Sequence, residues 1–102
     1  MQHGRNKHQS RDSRARVREI LLQEWDPIGV SDAPEAADEY DRYADEAYVM
    51  LMYRDAGAAE IAAYLLEIAT GHMGLSYRAE LGERCDKVAE RLVFLRPEFL
   101  TH

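Results

Sequence analysis

The sequence predicts an all-α protein, a compact antiparallel bundle of about four helices. Apolar residues recur at spacings of three and four along four separate stretches, proline and glycine punctuate the gaps between them, and no strand-like alternation runs long enough to support a sheet. Short connections between such helices favour antiparallel neighbours. At 102 residues the chain has room for one modest core. Hydrophobic residues make up 46% of it and charged residues 31%, the balance of a globular rather than a disordered chain.

The first helix is predicted from Ser13, with Val17, Ile20, Leu21 and Trp25 on one stripe and Asp12 or Ser13 capping its start. Pro27 ends it, because a residue preceding proline, here Asp26, is pushed out of helical geometry. Residues 1–12 are expected to form a mobile basic arm ahead of a single helical domain spanning 13–102.

A clear start signal opens the second helix: Asp32 as N-cap, Pro34 in the first turn and Glu35 completing a capping box. Ala37, Tyr40, Ala44, Ala47, Tyr48 and Leu51 share one side as it runs to about Asp55, and Gly57 stops it. Acidic residues crowd its first half, where they complement the helix dipole. The third helix runs from about Ala58 to Thr70 on the period of Ile61, Ala62, Leu65, Ile68 and Ala69, with Gly71-His72-Met73-Gly74 as its exit. Leu81, Cys85, Val88, Leu92, Leu95 and Phe99 alternate spacings of four and three, a packing seam for the fourth helix. Pro97 is expected to kink or end that helix and leave Phe99 tucked into the core.

Net charge is −6, but it is unevenly spread. Residues 1–18 hold six basic side chains against Asp12 alone, while the remainder holds seven basic against eighteen acidic ones, close to −11. No apolar run approaches the roughly 18–20 residues that cross a bilayer, and the basic start has no apolar segment behind it, so a cytoplasmic protein without a secretory leader is expected. Cys85, the single cysteine, excludes an internal disulfide and a cysteine-cluster metal site, and its place on the seam predicts a buried thiol. A nucleophile elbow, a glycine-rich phosphate loop and a His-Glu-x-x-His metal motif are all missing.

Asp38, Asp41 and Asp45 share one helix face, while Glu35, Glu39 and Glu46 occupy another with Arg42. Such oxygen-rich clusters hold magnesium or calcium in some proteins. Metal sites in bundles usually add a Glu-x-x-His pair, however, and His72 follows Glu67 by five residues, so a solvated acidic face with no metal or cofactor is the expectation. Tyr40 and Tyr43 fall on different sides of the helix, which predicts that one of them is exposed. Trp25, Asp26 and Pro27 are assigned structural roles: the indole fills the gap between the first two helices with its N–H on Asp38 or Asp41, and Asp26 caps the turn. His72 is read as a helix-end residue interacting with exposed carbonyls.

The order Trp25-Asp26-Pro27-Ile28-Gly29-Val30, then Asp38-Glu39-Tyr40-Asp41-x-Tyr43, Ile61-Ala62-x-Tyr64-Leu65 and Met73-Gly74-Leu75 resembles the YugE-like group of small bacterial proteins. The resemblance spans roughly residues 17–75 and implies a small helical fold, with no activity, substrate or catalytic residue to carry over.

These features predict a non-enzymatic, adaptor- or immunity-like module that binds a basic protein partner through Asp38, Asp41, Tyr43, Asp45 and Glu46. One alternative is a divalent-metal enzyme using the same carboxylates with Asp26. Another is nucleic-acid binding along Arg11, Arg14 and Arg18, which the acidic body would oppose unless those arginines simply lie against it. Self-association through the tyrosine-rich face or the seam of the fourth helix also remains open.

Overall fold

The computed structural model describes residues 7–30, 33 and 36–101. Four helices form, α1 (Lys7–Ile20), α2 (Ala36–Met52), α3 (Ala58–Glu67) and α4 (Ala79–Thr101), with no strand among the described residues. Both α1 and α3 continue into a single π-helical turn, Leu21–Trp25 and Ile68–His72. α1 packs chiefly on α2, and α3 on α4. Arg18 pairs with Asp41 and Arg14 reaches Asp45, so the numbers rise on one helix as they fall on the other, and α1 and α2 run antiparallel.

Each predicted stripe faces one shared core. Val17, Ile20, Leu21 and Trp25 meet Tyr40, Ala44, Ala47, Tyr48 and Leu51, with Ile61, Leu65 and Ala69 closing from α3 and Cys85, Val88, Leu92, Leu95 and Phe99 from α4. Burying these side chains follows from their spacing, since residues three and four apart share a helix face. Leu81, at the start of the α4 seam, is only half-buried.

Several boundaries differ from the sequence expectation. α1 begins at Lys7, ahead of Ser13, so Asp12 and Ser13 lie within the helix and neither caps it. Ser13 is buried on the side that Val17 and Ile20 share, which extends the packed stripe one turn towards the N-terminus. Asp32, Pro34 and Glu35, and with them the expected capping box, lie outside the described residues, as does the side chain of Ala37. α2 stops at Met52, where Asp55 (φ 54°) supplies the left-handed residue and the Ala56 N–H donates to the Met50 carbonyl at 2.9 Å. Gly57 therefore does not stop α2; it starts α3, its N–H donating to Glu60 Oε1 at 3.0 Å.

Gly74, at φ 74°, provides the left-handed exit from α3, and the Leu75 N–H closes the end on the Ala69 carbonyl at 2.9 Å. α4 runs through Pro97 to Thr101 without ending there. Phe99 is buried one turn from its end, against the Tyr48 ring. An Arg96–Asp55 ion pair ties this end of α4 to the turn between α2 and α3.

Candidate functional site

The corner after Trp25 is held by one carboxylate. The π turn closes with the Asp26 N–H donating to the Leu21 carbonyl at 2.8 Å, and leaves Asp26 at φ 22°. Asp26 Oδ1 then accepts the Val30 N–H at 3.0 Å and the Tyr40 hydroxyl at 2.9 Å. Gly29, at φ 66°, donates to the Asp26 carbonyl at 3.2 Å, which is why glycine stands at that place in the turn. Arg84 of α4 donates to the Trp25 carbonyl at 3.2 Å, and Pro27 lies beside it. Trp25, Asp26 and Pro27 thus join the end of α1 to α2 and α4.

Behind the corner sits a chain of rings. Trp25 meets Tyr40 at 5.7 Å between centroids and the edge of Tyr43 at 6.1 Å, and Tyr43 continues to His72 at 6.0 Å. These are the tilted and edge-on geometries that aromatic quadrupoles favour. Both tyrosines are buried, Tyr40 at 1% exposure and Tyr43 at 7%, so the expectation that one faces solvent is corrected. Tyr43 does leave the main α2 stripe, but α3 covers it: His72 packs on its ring and the Tyr64 hydroxyl donates to its carbonyl at 3.0 Å. Burial, followed by the Glu39 charge, raises the Tyr43 phenol above its ordinary value, with Arg42 opposing.

The Trp25 indole N–H reaches neither Asp38 nor Asp41 and finds no oxygen or nitrogen acceptor among the described residues. Trp25 shares the core with the buried Cys85 thiol. Burial pushes that thiol up, with the Trp25 N–H among the influences that lower it.

The carboxylates of α2 divide into two sets. Asp41 pairs with Arg18 at 2.9 Å and Asp45 lies 4.0 Å from Arg14, because arginines four apart on α1 face aspartates four apart on an antiparallel α2. Glu46 pairs with Arg54 at 3.0 Å. The expected solvated acidic face is thus half-exposed but partly neutralised by α1. A groove of about 820 Å³ follows this ladder of alternating charge, with Arg11 also on its wall, so Arg14 and Arg18 lie against the acidic body. Asp38 is exposed and makes no ion pair among the described residues, and Glu39 contacts His72 Nε2 at 3.4 Å. No three His, Cys, Asp or Glu side chains converge as metal ligands among the described residues.

Glu39 and His72 rim a second groove, of about 410 Å³, between the corner and the π turn of α3. Ile28, Val30, Ala33 and Met73 line it together with Tyr40 and Tyr43, whose rings are themselves almost fully buried. The π turn after α3 contributes His72 to this groove, and such turns are frequent at functional sites. Of the expected contact residues only Tyr43 lines it; Asp38 is on the adjoining turn, while Asp41 and Asp45 line the ladder instead. His72, Met73, Ile28 and Val30 were absent from the expected contact set. Two of them stand in Gly71-His72-Met73-Gly74, which reads from sequence chiefly as a helix exit.

No family model, curated protein or solved structure matches the chain. No helix among the described residues is long and apolar enough to cross a membrane.

Proposed function

We propose that this protein is a binding module, adaptor- or immunity-like in character, that engages a basic protein partner through the first half of α2 and the groove beside it. The observation that supports this reading is a groove lined by the aliphatic Ile28, Val30 and Met73 with Glu39 on its rim, next to the exposed Asp38 on the same turn of α2. Apolar area removed from water contributes affinity in protein interfaces, while charge steers the encounter and sets orientation. The strongly acidic residues 19–102 provide a long-range field that favours a cationic partner. Asp41, Asp45 and Glu46 contribute to that field from the flank; Asp38, Glu39 and Tyr43 form the nearer contact set.

Affinity isolation from the source cells tests the reading, using the intact chain and an Asp38→Lys/Glu39→Lys variant. The expected result is a stoichiometric basic protein that elutes as salt rises and is missing from the variant, whose helicity is unchanged. Equal recovery by both proteins, or no stoichiometric partner with the intact chain, overturns it.

A further inference from the structure

We infer that the outward strip of α4 pairs two copies of this chain side by side, running in opposite directions, about a two-fold axis between Arg91 and Phe94. The packed stripe of the same helix, from Cys85 to Phe99, faces the bundle and is covered there, so it is not the surface that meets a copy.

A second strip runs along the other side. Glu80, Arg84, Lys87, Arg91, Phe94 and Glu98 follow one another at alternating spacings of four and three, and all six are exposed. That alternation sets them in one line down a helix, the arrangement of a coiled-coil seam. Phe94 is 79% exposed, the most open of the large hydrophobic side chains among the described residues. Covering it removes apolar area from water, and the charges around it select what covers it.

Those charges fix both occupant and direction. In an antiparallel pair the seams meet in reverse order, so an axis between Arg91 and Phe94 brings Lys87 of each chain opposite Glu98 of the other, and Arg91 opposite Phe94. Two-fold symmetry repeats each contact, giving two ion pairs and two guanidinium-on-ring contacts. A parallel pair sets Lys87 on Lys87, Arg91 on Arg91 and Glu98 on Glu98, like charges at each step. Sliding the antiparallel pair by one heptad puts Lys87 against Arg91 and Glu80 against Glu98, or, in the opposite sense, Phe94 against the Glu98 carboxylate. One register satisfies every position.

The side chains are free to make these contacts. Lys87 has no ion pair among the described residues. Glu24 holds Arg91 at 3.0 Å and offsets its charge, so two Arg91 side chains tolerate one another near the axis, and each stays 45% exposed. Glu98 is exposed, and a carboxylate accepts more than one donor. From Lys87 to Glu98 the seam is about 16 Å long, short for a permanent interface, which makes the dimer weak and reversible.

Sedimentation velocity on the intact chain from about 10 µM to about 1 mM tests the pairing. The parent should pass from monomer towards dimer across that range. Phe94→Ser should raise the dimer dissociation constant at least about tenfold and melt as the parent does, because the ring it removes is exposed. Lys87→Glu alone and Glu98→Lys alone should each stay monomeric, since each sets like charges opposite one another. An equimolar mixture of these two variants should dimerise again, because both crossed pairs then have opposite signs. Asp38→Lys/Glu39→Lys, on α2, should leave the equilibrium unchanged, which separates this surface from the groove beside the corner.

A parent that is still monomeric at the highest concentration overturns the inference. So does a dimer indifferent to Phe94→Ser, which assigns self-association to another face. A dimerising parent whose two charge variants fail to recombine overturns the antiparallel register.

Discussion

The Tyr40 hydroxyl donates to the same Asp26 oxygen that accepts the Val30 N–H, so one carboxylate oxygen ties the first half of α2 to the corner that ends α1. A side chain fourteen residues downstream thereby sets the exit path of the chain after Trp25.

Tyr40→Phe keeps the ring and removes this one bond. A hydrogen bond to a charged acceptor is worth about 1.5–3 kcal/mol, and urea unfolding should show a loss in that range with an unchanged slope. Asp26→Ala should cost more, because it strands both donors and places alanine at φ 22°. Asp26→Asn, which retains an acceptor and tolerates that backbone, should fall between the parent and the alanine variant.

Alkaline pH should destabilise the fold. Burial, then the hydrogen bond and charge of Asp26, raises the Tyr40 phenol above its ordinary value of 10.0; burial, then the Glu46 charge, raises Tyr64 from the same value. Above about pH 10 the unfolded chain releases phenolic protons that the folded chain retains. Stability from these groups is thus complete below that pH and declines as pH rises through the folded values. Urea midpoints across this range should fall, and Tyr40→Phe should flatten the decline.

The α1–α2 ladder should contribute little to stability. The Arg18 and Asp41 side chains are 36% and 49% exposed, and ion pairs of that kind are worth about 0.2–1 kcal/mol and are screened by salt. A double-mutant cycle with Arg18→Gln and Asp41→Asn should give a coupling in that range that shrinks at high salt. Asp41→Lys should cost more than Asp41→Asn, since it sets two cations face to face.

Cys85 should react with thiol reagents only when the fold opens. It is 1% exposed and burial raises its pKa, two conditions that suppress the thiolate. Trp25→Ala, which opens a cavity beside it, should cost about 3–5 kcal/mol and accelerate labelling in proportion. Labelling of the parent at the rate of a free thiol would mean that Cys85 is not enclosed.

Helix number, the buried stripes of Val17–Trp25 and Cys85–Phe99, and the break at Pro27 were legible in the sequence. Each depends on local matters, the helical period and the dihedral limits of proline and glycine. Three features were not. Tyr43 is buried because His72 and Tyr64 arrive from α3. Asp41 and Asp45 are paired because antiparallel packing brings Arg18 and Arg14 opposite them. The groove exists because the turn after Trp25, with Ile28 and Val30, and the end of α3, with His72 and Met73, border one α2 surface. Periodicity reports which face of a helix prefers to leave water, since that preference belongs to each side chain. Which residue meets it there depends on orientation and register between helices, and those are settled only when the whole core packs.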